Sequence, residues 1–170
     1  MKIITETYKV FTFDELTQEA KDKAREDFNQ YDDFTFLRDD LREYLHEGLT
    51  ELQYTHDEIT PLYSLSHSQG DGLMFEGSVT DKDGNTFSIK HYGHYHHEQS
   101  TSISGEDKEG EEIDTEDFEN NVYIPLCKSV RDRGYEIIDY NQSEENFSET
   151  CDANEYTFLE NGTMKNAKHE

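Results

Sequence analysis

Forty Asp and Glu residues against fifteen Lys and Arg give this 170-residue chain a formal net charge of −25. Any fold it adopts must keep nearly all of those carboxylates in water, because an ionised group loses its hydration on burial. The excess also repels itself and works against compaction. Apolar residues make up only 32% of the chain. Low hydrophobicity with high net charge is the compositional signature of disorder. Two features argue for a folded chain instead: clear periodic segments, and eleven Tyr and ten Phe spread along the sequence. Each aromatic ring buries a large area, so a modest core is within reach.

Solubility asks for a net charge of roughly 2–8 in magnitude for a small domain. The surplus points to association with a cationic partner, or to a high-salt habitat. It argues against direct binding to nucleic acid or to an anionic membrane, since no counterion release rewards a polyanion that meets another. Met1 to Val10 lacks the apolar run of a secretory signal. No stretch reaches the ~20 apolar residues of a membrane span. Cys127 and Cys151 show no zinc-ligand spacing. These features fit a cytoplasmic protein with free thiols and without a cofactor.

The periodicity predicts one α+β domain over 1–164 and a flexible tail over 165–170. An antiparallel sheet of about five to seven strands packs against N-terminal helices and a later helix. Ile3 to Phe11 reads as an opening strand, expected to share a sheet with the closing one. A first helix over Phe13 to Gln30 carries Leu16, Ala20, Ala24 and Phe28 on one face, with Asp14 as its N-cap. A second, over Phe34 to Tyr54, buries Phe34, Leu37, Leu41, Leu45, Leu49 and Leu52. Period-two segments follow at Leu62–His67, Gly72–Asp81, Asn85–His91 and His94–Ile103, with Asp83-Gly84 as a tight turn. A third helix places Pro125 in its first turn, where the missing N–H costs least. A short helix over Glu144 to Cys151 and a hairpin around Asn161-Gly162 close the chain.

The acidic residues are patterned. Glu15, Glu19, Asp22 and Glu26 recur at spacings of four, three and four along the first helix, and Asp40, Glu43, Glu47 and Glu51 at three, four and four along the second. Such spacings draw a line of carboxylates along one helix face, about 5–6 Å apart. Residues 105–121 hold nine acidic residues and one basic, with Glu109, Glu111 and Glu112 at their centre. These eleven carboxylates are the candidate partner-binding set. A solvated face is the alternative meaning of each run.

Other clusters carry less. His91 ends one predicted strand and His94, His96, His97 and Glu98 open the next, where His94 and His96 share a face and could chelate a metal with Glu98 as a third ligand. A sheet face that simply exposes His and Tyr is the simpler reading. Ser66, His67 and Asp71 lie close in sequence, but no nucleophile elbow surrounds the serine. Asp81-Lys82-Asp83-Gly84-Asn85 fails as a calcium loop, since its glycine falls too early and position twelve is Tyr92. No phosphate-binding glycine motif is present.

Four runs resemble a family of small proteins common in phages and prophages: Phe13 to Arg25, Ser68 to Gly77, His94 to Glu98, and Asn154 to Gly162. Members are often labelled antitoxins of a toxin–antitoxin stability system. The resemblance implies a phage context, in which small acidic proteins block host defences, and it brings no catalytic residues. The reading that follows is a non-enzymatic inhibitor occupying the basic groove of a host nucleic-acid-binding protein, such as a restriction enzyme or CRISPR effector. The alternatives are an antitoxin-like protein covering a basic toxin, and a metal-dependent enzyme built on the His-rich strand.

Overall fold

The computed structural model describes residues 6–30 and 36–165. The chain divides into two compact units, Met1–Asp33 with Ile138–Glu170, and Phe34–Ile137.

In the first unit, a 3-10 turn at Phe13–Glu15 leads into α1 (Gln18–Asn29). Asp14 is not the cap. The helix starts three residues later, where the Thr17 side chain accepts the Ala20 N–H. Asp14 and Glu15 instead belong to the 3-10 turn, and the Glu15 carboxylate accepts the Thr12 N–H at 2.8 Å. Leu16, Ala20 and Ala24 are buried with Phe13, Phe147, Cys151 and Phe158. The Phe13 and Phe147 rings meet edge to face, 4.9 Å apart, the geometry that aromatic quadrupoles favour. Among the described residues, the expected opening strand is present as one antiparallel bridge, Phe11 to Phe158. Its first residues, 3–5, lie outside the described residues. The closing hairpin is present as the bridge between Phe158 and Met164. Both are isolated bridges that belong to no named strand.

The second unit holds α2 (Leu37–Glu51) and a six-stranded antiparallel sheet, giving the expected α+β fold. The strands are β1 (Thr55–His56), β2 (Thr60–Ser64), β3 (Gly72–Thr80), β4 (Thr86–His91), β5 (Thr101–Glu106) and β6 (Glu112–Ile113). β3, β4, β5 and β6 form a meander, and both β1 and β2 pair with the same edge of β3. Thr55 faces Thr80 and Thr60 faces Glu76, so five steps on one strand oppose four on the other. That extra residue is a bulge, which divides one edge strand into two. Leu73, Met74 and Phe75 are consecutive and all fully buried. Successive strand side chains point to opposite faces, so β3 is covered on both.

A short turn, α3 (Glu116–Phe118), runs through a π-helical stretch at Glu119–Tyr123 into α4 (Ile124–Asn141). Pro125 lies just after that stretch. The i→i+5 register relieves the ladder where proline offers no N–H. α5 (Glu144–Ala153) is capped by Ser143, whose hydroxyl accepts the Asn146 N–H.

Gly162 shows how tightly the first unit is closed. Its φ is +83°, and a Cβ there would lie 2.2 Å from the Ala20 carbonyl oxygen. Gly110 has nearly the same φ, +84°, in open space. Gly110→Ala should therefore cost only the left-handed penalty of about 1–2 kcal/mol. Gly162→Ala carries that penalty and a backbone clash, and is expected to lower the urea midpoint clearly further. Equal losses for the two variants would contradict this packing.

Candidate acidic interface

Leu37, Leu41, Leu45 and Leu49 recur at four-residue spacing, and each is at most 4% exposed. Burying this stripe fixes the rotation of α2 about its axis. Leu52, expected to extend the stripe, caps the helix and is half exposed; Phe34 lies outside the described residues. The opposite face presents Glu43, Glu47 and Glu51, all exposed. Asp40, expected in line with them, is half-buried beside Leu41. Its place is taken by Asp39, which with Glu43, Glu47 and Glu51 borders an open concavity of about 650 Å³. Positions 39, 43, 47 and 51 are strictly four apart, so the line runs about 18 Å along the helix at 1.5 Å per residue.

A second concavity, of about 490 Å³, lies between α2 and α4. Glu47 and Glu51 border it from α2, and Asp132 and Glu136 from α4, over an apolar floor of Leu126 and Val130. Gly48 lets the helices approach, since a Cβ there would stand 2.4 Å from Leu126 Cδ1. Not all of this charge is open. The Arg131 guanidinium donates to Asp132 at 2.7 Å, and Arg133 to Glu136 at 2.7 Å while lying over the Tyr44 ring. Arg42 donates to Asp39 at 3.1 Å. Among the described residues, Glu43, Glu47 and Glu51 make no ion pair.

The other candidates are placed differently. Glu19, Asp22 and Glu26 are exposed on α1 in the first unit, but basic residues alternate with them. Asp22 lies 3.6 Å from the Arg25 guanidinium, and Lys23 holds the neighbouring Asp27 at 3.0 Å. Glu15 is absorbed in the Thr12 contact. Glu109, Glu111 and Glu112 are exposed around the β5–β6 turn. There the Asp107 carboxylate accepts the N–H groups of Glu109 and Glu111, both at 2.9 Å. The eleven residues are carried by the 3-10 turn and α1, by α2 and by the β5–β6 turn, and α4 adds Asp132 and Glu136 beside the α2 set. Asp132 and Glu136 were missed in sequence, although their four-residue spacing on one helix was a readable signal.

The His-rich segment is not the expected strand. β5 begins only at Thr101, and 92–100 form turns. Gly93 takes a φ of +104°, and the Tyr92 N–H donates back to the Ser100 carbonyl at 2.7 Å. That reversal ends the strand before the histidines can alternate. One ring nitrogen of each of three histidines is engaged with backbone: His91 with the Tyr95 carbonyl, His96 with the Tyr63 carbonyl, and His97 with the Gln99 N–H. Glu98 is buried, with one oxygen 4.0 Å from Lys128 Nζ and the other 3.3 Å from His97 Nδ1. Among the described residues, no group of three or more His, Cys, Asp or Glu is placed to hold a metal.

The Ser66–Asp71 cluster also differs from a catalytic triad. Asp71 Oδ1 accepts the hydroxyls of Ser64, Ser66 and Ser68 at 3.0–3.1 Å. Oδ2 accepts the Ser66 and Ser68 N–H groups and the Tyr135 hydroxyl, the last at 2.7 Å. Six donors converge on one carboxylate and tie the β2–β3 connection to α4. Partial desolvation pushes the Asp71 pKa upward, but the bonds from Tyr135, Ser68, Ser66 and Ser64 outweigh it and hold the carboxyl well below its usual range. Desolvation, and then the bond to Asp71, push the Tyr135 phenol up to about 12. The cluster positions the α4 side of the groove.

No family model, curated protein or solved structure matches the chain. The phage-family resemblance therefore rests on its four sequence runs.

A pH series tests the Asp71 cluster. Its folded-state pKa is depressed, so its contribution is complete above the unfolded value of about 3.9 and fades as pH falls toward the folded one. The stability gap between wild type and Asp71→Asn, from urea unfolding, should be narrower at about pH 2.5 than at about pH 5. A gap that stays constant would show that the carboxylate charge is not what the six donors stabilise.

Proposed function

We propose that this chain is a non-enzymatic acidic inhibitor whose α2 face occupies the cationic groove of a nucleic-acid-binding protein. The observation that carries this reading is the line of Glu43, Glu47 and Glu51, which make no ion pair among the described residues, on a helix whose leucine face is buried. Charges held in register on a rigid helix lose little freedom when a partner meets them. They also steer a basic partner from a distance and set the docking register. Asp132 and Glu136 broaden the line into a groove rim with an apolar floor, which suits the aliphatic stems and charged heads of Lys and Arg. The phage-type resemblance makes a host defence enzyme the favoured partner.

Affinity capture from a bacterial lysate, followed by binding kinetics on the captured protein, tests this. Glu43→Lys with Glu47→Lys is expected to weaken binding about tenfold or more, mainly through slower association. The same reversals at Glu19 and Glu26 should do less, because basic neighbours already temper that face. Wild-type affinity should fall steeply with salt, as exposed charges are screened beyond about 8 Å at physiological ionic strength. Unchanged affinity and salt dependence in the α2 variant would reduce its charge to a solvated surface.

A further inference from the structure

Two histidines outside the His-rich segment meet at the edge of the α2 face. His46 stands on α2, between Glu43 and Glu47, and His56 on β1. Both are half-buried. His46 Nδ1 lies 2.8 Å from His56 Nε2, with the ring centroids 4.3 Å apart. His56 Nδ1 lies 2.7 Å from the backbone carbonyl of Asp57. A carbonyl only accepts, so Nδ1 of His56 carries the hydrogen and its Nε2 turns a lone pair toward His46. A ligating histidine is commonly held in this way, with its distal N–H on a backbone carbonyl that fixes the tautomer and raises the basicity of the other nitrogen.

The separation has a chemical meaning. Imidazole nitrogens bind zinc at about 2.0–2.1 Å. Two of them on adjacent coordination positions therefore stand about 3 Å apart, close to the spacing already present. The surroundings also suit a cation. His46 borders the same open concavity as Asp39, Glu43, Glu47 and Glu51, and Arg42, which also borders it, is held by Asp39. The openness leaves room for water in the remaining positions.

We propose that His46 Nδ1 and His56 Nε2 form a two-histidine site for a borderline divalent transition cation such as Zn²⁺, with water completing the coordination. Binding needs a lone pair on both facing nitrogens, so the hydrogen of His46 moves from Nδ1 to Nε2 and each ring stays neutral with one N–H. Binding clamps α2 to β1. It also places positive charge beside the acidic line, so it should weaken that face's attraction for cations. The site rests on its own geometry and stands whether or not the proposed partner is correct.

The test uses the full chain and Zn²⁺ alone, in a buffer that does not chelate it. Histidine side-chain NMR during the titration should show His46 and His56 responding together and saturating with one zinc. His46→Ala and His56→Ala should each lower the affinity by about tenfold or more, while Ala at His91, His94, His96 and His97 together should leave it within about twofold. His56→Gln, which keeps a polar side chain at the contact, should lose binding in the same way if His56→Ala fails to fold. Thermal stability should rise with zinc in wild type but not in the His46 variant. Resonance changes confined to His91, His94, His96 and His97 would overturn the proposal. So would unchanged affinity in both single variants, or no response at large zinc excess.

Discussion

The buried leucine column of α2 is the constraint on which the acidic surface depends. Burying a leucine side chain contributes about 1.5–3 kcal/mol, whereas a like-charge pair one turn apart on a helix costs about 0.2–0.5 kcal/mol. Four buried leucines thus outweigh the three repulsive steps from Asp39 to Glu51 several-fold. The chain can hold a row of carboxylates in fixed register because the other side of the same helix has nowhere else to go. Gly48 and Leu126 add the close approach of α4, which sets a second acidic edge beside the first. Local fold and surface charge are therefore one arrangement seen from two sides.

Charge density alone does not distinguish the patches; the treatment of each carboxylate does. On α1, lysines and arginines alternate with the acids, and Glu15 and Asp22 are taken up by local contacts. At the β5–β6 turn, Asp107 is used to shape the backbone beneath Glu109 and Glu111. Asp71 is the extreme case, a carboxylate consumed by six donors in order to fix the α4 side of the groove. Glu43, Glu47 and Glu51 make no ion pair among the described residues. The fold uses some of its carboxylates as internal acceptors and leaves others for what lies outside.

Much of this was legible in the sequence, and the exceptions have physical causes. The leucine period gave α2, the Asp83-Gly84 turn gave the β3–β4 hairpin, and alternation placed β3 and β4 within one residue. The helix start at Thr17 was missed because Asp14 is an equally good capping residue, and only the 3-10 turn ahead of it decides between them. The His-rich segment failed as a strand because Gly93 and the Tyr92–Ser100 bond reverse the chain, which alternation cannot report. Asp39 displaced Asp40 because both fit a carboxylate line within one residue of error, and packing beside Leu41 chooses. The pairing of His46 with His56 joins a helix to a strand through tertiary structure, and no local pattern encodes it.

The central claim is that the α2 face takes the place of nucleic acid on its partner. Competition measures this most directly. The partner captured by this chain is immobilised in the complex, and duplex or single-stranded nucleic acid is titrated in at low salt. The account predicts mutually exclusive binding, with the acidic chain released as nucleic acid occupies the groove. A stable ternary complex, in which nucleic acid binds at full affinity while the chain stays in place, would contradict it.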